Sequence, residues 1–321
     1  VPSNDYKGYN PPKALDGGFV NRFLSFILLL VLLVACVPAP AANNSNESTF
    51  PVPNFEHIIM IVFENKGFET VIGNPLMPTY NKLAKEYTLL TDFYAIRHPS
   101  LPNYLALIGG DTFGISIDCN DCFIDAPSLP DLIEASGRTW KTYQEDMPEA
   151  CFLGDYGHYA QKHNPFVYFD PIRTDQSRCE QSVVPLTDLQ RDIDMGSLPN
   201  FLFITPNLCN DSHDCSLDVT DAWLENLLAT LTPALDNTSQ SYLVVILFEE
   251  AQRPDGLGKL WERGGGHVAV VLYSPLVKKG FEDPTRYNHY SLLKTISAAW
   301  GLSYLGHAAD NGNVLISAPW K

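Results

Sequence analysis

The sequence predicts an α/β fold, a single domain with a mostly parallel central sheet sandwiched by helices. Two continuous apolar runs, HIIMIVF at 57–63 and YLVVILF at 242–248, show no polar alternation and are too short for helices. That is the pattern of strands covered on both faces. Helical stretches alternate with such runs, as a parallel sheet with crossover helices requires. Beyond residue 54 neither a linker-like stretch nor an internal repeat divides the chain.

The first strand, 57–63, is followed by a helix at 79–87 (TYNKLAKEY), entered through Pro78, whose missing N–H is harmless in a first turn. Residues 88–96 (TLLTDFYAI) read as the next strand, and 101–108 as a short helix stopped by Gly109 and Gly110. A helix at 128–135 ends at Gly137, and a strand follows at 139–143. Residues 146–190 are irregular and read as a loop-rich insertion over one edge of the sheet. A strand at 201–205 (FLFIT), a helix at 219–231, strands at 242–248 and 267–273 (HVAVVLY) and a helix at 290–300 complete the order.

Composition is globular, 45% hydrophobic and 18% charged. Lys and Arg total 21 against 37 Asp and Glu, a formal net charge of −16. Such a chain lacks the basic surface that nonspecific nucleic-acid binding needs. The run FLSFILLLVLLV at 23–34 follows Arg22 and is shorter than the roughly 20 residues of a membrane-spanning helix, so it reads as the core of a signal peptide. Leu33-Val34-Ala35-Cys36 then resembles a bacterial lipobox, which implies cleavage before Cys36 and its acylation. An ordinary signal peptide or an uncleaved anchor are the alternatives. The expected organisation is a signal peptide with an upstream segment at 1–35, a lipid-anchored flexible tether at 36–53 and one catalytic domain at 54–321. The expected location is the cell envelope, with Cys36 on a bacterial membrane and the domain outside the cytoplasm.

Of seven cysteines, six remain once Cys36 is set aside: Cys119, Cys122, Cys151, Cys179, Cys209 and Cys215. An even set in an exported protein suggests three disulfides, and loop proximity favours 119–122, 151–179 and 209–215. Sequence alone does not fix the pairing. The Cys119-Asn-Asp-Cys122 spacing also fits a redox motif or half a zinc site, for which no second CxxC exists.

Polar residues gather where a parallel sheet places ligands, beyond the carboxyl ends of its strands. Strand 57–63 runs into Glu64 and Asn65, strand 201–205 leads to Asp211, His213 and Asp214, and strand 242–248 runs into Glu249 and Glu250. Two adjacent carboxylates after an apolar strand repel each other unless a cation lies between them, so a divalent metal is expected. Ser100, in RHPSLPNY, opens a helix where backbone N–H groups favour an anion, although a simple capping role fits the local sequence as well. Lys66 is a further candidate for phosphate contact, with a solvated role as the alternative. His57, His158, His163 and His307 read as structural or exposed, with His163 able to reach the site from the insertion.

The stretches IVFENKGFETVIG (61–73), HPSLPNYLALIGG (98–110), TPNLCNDSHDCSLDVTDAWL (205–224), LFEEA (247–251), GGGHVAVVLYSP (264–275) and YNHYSLLKTI (287–296) together resemble the phosphoesterase family of secreted acid phosphatases and bacterial phospholipases C, in the alkaline-phosphatase superfamily. The resemblance covers essentially all of 55–306 and implies an alkaline-phosphatase-like fold, a phosphate ester substrate and a metal cofactor. It implies Glu64, Asn65, Ser100, Glu249 and Glu250 as metal ligands, with Ser100 as nucleophile and Asn65 also touching phosphate. The family usually has Asp-Glu or Asp-Asp where this chain has Glu249-Glu250. His213, His267 and His289 match recurring active-site histidines. The expectation is catalysis by Ser100 with His213 or His289, and substrate binding by Asn65, His98 and His267.

The resulting expectation is a metal-dependent phosphomonoesterase passing through phosphoserine at Ser100. The alternative, a phospholipase C-type diesterase, would need an apolar lipid-binding surface, for which Phe166, Val167, Tyr168 and Phe169 are candidates. A non-catalytic surface lipoprotein would have no need for Ser100 or the two glutamates, and all three are present.

Overall fold

A computed structural model describes residues 51–237, 240–252 and 264–321. Cys36 and the apolar run at 23–34 lie outside the described residues. Val52, which composition assigns to the tether, is 1% exposed and belongs to the core, so the packed chain begins by that residue.

In chain order the elements are β1 (His57–Phe63), α1 (Phe68–Val71), α2 (Pro78–Glu86), β2 (Thr88–Leu90), β3 (Phe93–Tyr94), α3 (Ser100–Gly109), α4 (Leu129–Ala135) and β4 (Trp140–Gln144). There follow α5 (Asp170–Arg173), α6 (Gln176–Ser182), β5 (Val183–Pro185), α7 (Asp188–Asp194), β6 (Phe201–Thr205) and α8 (Leu217–Asn237). The last are β7 (Tyr242–Phe248), β8 (Val270–Tyr273), β9 (Phe281–Asp283), β10 (Tyr287–Asn288) and α9 (His289–Ala299). The main sheet has the order β5-β4-β6-β1-β7-β8-β2-β9. It is parallel except for β8, which runs antiparallel to both β7 and β2. Helices flank the sheet, with α2 against α8 and α3 against α9.

The expected strand at 88–96 is in fact two short strands in different sheets. The chain turns at Thr91, whose N–H donates to the Asp283 carbonyl, and β3 pairs with β10 instead. The insertion also differs from a loop: it holds two short 3-10 turns, α5, α6 and the edge strand β5. Phe166, Val167, Tyr168 and Phe169 are fully buried there. Phe166 stacks on Trp140 at 5.2 Å and meets Phe203 edge-on at 5.2 Å, so this cluster is core and offers no lipid surface.

Strand alternation decides which side chains reach the site. Phe63 and Phe248, paired in register on β1 and β7, turn toward Trp223 of α8 and Tyr80 of α2. The next residue on each strand must therefore face the other way, toward the side that holds α3. Those residues are Glu64 and Glu249, and the Glu249 N–H still bonds the Phe63 carbonyl at 2.9 Å. Two neighbouring parallel strands thus deliver two carboxylates side by side.

Candidate active site

Glu64, Glu249 and Glu250 are all buried and bring carboxylate oxygens within 4.8 Å of one another. Ser100 meets them from α3, its Oγ 3.0 Å from Glu64 Oε2 and 3.1 Å from Glu250 Oε1. The N-cap of α3 is Pro99, and Ser100 is the first helical residue. Its hydroxyl is therefore not spent on capping. His98 joins the group through Nδ1, which bonds Glu250 Oε2.

Burial pushes Glu249 well above the usual carboxylate range, and the charges of Glu64 and Glu250 raise it further. Both of its carboxylate oxygens lack a hydrogen-bond partner. A buried carboxylate without donors is costly unless a cation meets it, so the trio fits a divalent ion. Burial also raises Glu64, with Asp211 adding to the shift and His163 opposing it. Asn65 sits at φ 52°, a left-handed conformation that asparagine tolerates, and its Nδ2 donates to Glu64 Oε2 at 3.3 Å.

The loop closed by Cys209 and Cys215 holds the turn after β1. The Glu64 N–H donates to the Asp211 carbonyl at 2.9 Å, and Ser212 Oγ to the Glu64 carbonyl at 2.7 Å. Lys66 Nζ donates to the Ser212 carbonyl at 2.7 Å, a structural bond where a phosphate contact was a candidate role. Replacing both cysteines by serine is expected to cost about 2 kcal/mol, the loop-closure value for so short a ring, read in a urea titration. The other bridges are Cys119–Cys122 and Cys151–Cys179, so all three follow loop proximity and the CxxC is a disulfide.

His213 is 29% exposed, with Nδ1 2.7 Å from Asp214 Oδ1 and its ring 5.8 Å from that of His163. Its backbone N–H donates to Asp211 Oδ1. His289 and His267 do not join the group. His289 is buried, its Nε2 bonds the Glu249 carbonyl at 2.7 Å, and burial lowers it to about 4. Its contact with the site is to backbone. His267 stacks between Phe68 and Tyr94, with Nδ1 on Glu69 and Nε2 on the Thr91 carbonyl. The glycines before it make room for backbone. A Cβ on Gly265 would lie 2.5 Å from the Arg97 carbonyl oxygen, so Gly265 lets the segment leading to His98 pack closely.

Two side chains at the site escape the sequence reading or stand at its margin. Tyr104 OH donates to Glu64 Oε1 at 2.6 Å. It lies one helical turn beyond Ser100 on α3, and that spacing alone places both on one face. His163, from the insertion, places Nε2 3.2 Å from Glu64 Oε1 and Nδ1 3.3 Å from Asp211 Oδ2, and stacks on Tyr104. Burial lowers it to about 4 and raises Asp211 to about 7.

Comparison with known proteins places the chain among relatives that match most of its length. The chain is 37% identical over 272 residues to a phosphate-repressible acid phosphatase of Penicillium chrysogenum, covering 81% of this chain and 63% of that protein. It thus spans a little under two thirds of that relative's length. It is 32% identical over 295 residues to a phosphatidylinositol-3-phosphatase of Mycobacterium tuberculosis, covering 91% of this chain and 92% of the other. Among solved structures, an alkaline-phosphatase-superfamily protein from Vibrio parahaemolyticus aligns with a TM-score of 0.55 at 11% identity, over 81% of this chain and 71% of that one. Human ectonucleotide pyrophosphatase/phosphodiesterase 5 aligns at 0.54 and 10% identity, over 80% and 98%. These two likenesses speak for the fold alone. The model of the Phosphoesterase family matches residues 74–303, a span that takes in Ser100, His213, Glu249 and Glu250, and the chain belongs to that family.

Proposed function

We propose that this protein is a metal-dependent phosphoric monoester hydrolase working through a phosphoserine at Ser100. The observation that carries the reading is the Ser100 hydroxyl set between Glu64 and Glu250, beside the buried and unpartnered Glu249 carboxylate. Its named relatives include acid phosphatases.

Glu64, Glu249 and Glu250 would hold the ion, with Asn65 and Ser100 beside them. A bound divalent ion supplies charge neutralisation for a phosphate oxygen and a lower pKa for the serine hydroxyl. Ser100 Oγ attacks phosphorus in line, and a neighbouring carboxylate accepts its proton. His213 Nε2, at the open side of the site, gives a proton to the departing alcohol oxygen. Water then attacks the phosphoserine, His213 takes the proton from that water, and Ser100 leaves with the proton returned by the carboxylate, as the free hydroxyl, with inorganic phosphate released. His98 orients Glu250, and His289 holds the backbone of Glu249. We further propose that the protein is exported through the 23–34 segment and anchored by lipid at Cys36, with 36–50 as a tether.

Because Glu249 is raised by burial, ion binding should displace protons. Titrating a divalent ion into metal-free protein, in buffers of different ionisation enthalpy, is expected to show proton release and an affinity that increases with pH. Ion binding with no proton linkage would argue against a ligand role for Glu249. The functional test is hydrolysis of a soluble monoester and a diester side by side, before and after chelation. Chelation should abolish monoester turnover and a divalent ion restore it. An unchanged rate in the chelated protein would sink the metal-dependent reading.

A further inference from the structure

A divalent ion alone does not make this site receptive to phosphate. Three carboxylates around one doubly charged ion leave a negative cluster, and Asp118, Asp211 and Asp214 stand close by. A phosphomonoester dianion entering there meets repulsion unless a further cation faces it. Lys66 donates to the Ser212 carbonyl on the turn after β1 and does not line the cleft beside His213. Lys162 is placed differently: it lines a cleft of about 540 Å³ together with His213 and Asp118.

Lys162 Nζ lies 3.1 Å from Asp118 Oδ2 and 3.5 Å from His213 Nε2. The other oxygen of Asp118 accepts the N–H of Leu101, the residue after Ser100, at 3.1 Å. Asp118 therefore ties the ammonium to the start of the helix that carries the nucleophile. The charges of Glu64 and Glu249 also act on Lys162, which places it within their field. An ammonium has three donors; Asp118 takes one and His213 Nε2 a second, so the third is open to a second anion.

We propose that Lys162, positioned by Asp118, receives a non-bridging oxygen of the phosphoryl group and makes the site prefer dianionic monoesters to monoanionic diesters. The inference rests on the phosphatase reading and deepens it. A monoester carries close to two charges at neutral pH and a diester one, so a fixed cation helps the monoester more.

The test uses the full chain loaded with its divalent ion, p-nitrophenyl phosphate, bis-p-nitrophenyl phosphate, and inorganic phosphate as a calorimetric ligand. Lys162→Met is expected to lower kcat/KM for the monoester about 100-fold and for the diester less than about 10-fold. Phosphate affinity should fall at least about 10-fold, Lys162→Arg should restore most of it, and Asp118→Asn should fall between the two. Affinity for the divalent ion should stay at the wild-type value in all three. A wild-type phosphate affinity and ester preference in Lys162→Met would overturn the proposal. So would an equal loss on both esters accompanied by weakened ion binding, which marks a structural role. If the wild type hydrolyses neither ester, the phosphatase reading fails, while direct phosphate binding still decides the role of Lys162.

Discussion

Ser100→Ala is expected to lower monoester turnover at least about 10³-fold while leaving the fold in place. Among the described residues, Ser100 Oγ is the one hydroxyl that contacts two of the three clustered carboxylates, at 3.0 and 3.1 Å. Its removal takes away the group that would carry the phosphoryl intermediate. The fold does not depend on it, because the Ser100 hydroxyl makes no helix cap and the other nine residues of α3 are buried, packed against α9 and the two 3-10 turns of the insertion. Thermal unfolding should move by no more than a few degrees. Divalent-ion affinity should survive in part, since the three carboxylates remain. A variant with wild-type turnover would remove Ser100 from the mechanism.

Glu249→Gln is expected to produce two opposite effects. Activity and ion affinity should each fall by about 100-fold or more, because an amide oxygen carries no charge to meet a cation. The metal-free protein should become more stable. Glu249 is held above the ordinary carboxylate value by burial and by the charges of Glu64 and Glu250. A carboxylate raised in the folded state favours folding when protonated, and that contribution is lost as pH climbs through the raised value. Glutamine removes the loss, so chelated Glu249→Gln should melt above chelated wild type near neutral pH, with the gap closing toward about pH 4.5. The added ion should stabilise wild type strongly and the variant little. A variant that melts below wild type without metal would show that Glu249 is satisfied by the protein alone.

How much of this was legible in the sequence depended on how local each signal was. β1 and β7 were readable to the residue, because both are apolar throughout and end at a charged residue. Their shared register then follows from the fold and brings Glu64 beside Glu249. The direction of β8 was not readable, since an apolar run carries no sign of which way it points. The strand at 88–96 failed because a turn at Thr91 and Asp92 interrupts it, and short pieces on either side still look like strand. The helices of the insertion are seven residues or fewer, too short to show a helical period. Cysteine spacing did report there, since the 151–179 bridge ties α6 back to the loop after β4.

The site divides in the same way. Ser100, Glu64, Glu249 and Glu250 each sit next to a recognisable element end, so their convergence could be read. Tyr104 was available from helical spacing. Lys162 and Asp118 were not, because 44 residues separate them and only the fold brings them together. His267 and His289 stand out by position in the sequence; the fold puts the first between two aromatic rings and the second on the Glu249 carbonyl.

The acidity of the chain is consistent with its proposed work. A net charge of −16 would repel phosphate esters from an open surface. A cation held among the buried carboxylates, with Lys162 facing the cleft, would confine the attractive field to one place. Selection would then operate at the site and not by long-range steering.

The central claim is a covalent phosphoryl group on Ser100. Its most direct measurement is rapid acid quenching of the metal-loaded enzyme during turnover of a phosphomonoester, followed by mass mapping of the peptides. The phosphoserine account predicts a phosphorylated peptide containing Ser100, absent from Ser100→Ala and from the chelated protein. Phosphate on another residue, or sustained turnover with no phosphorylated peptide at any quench time, would contradict it.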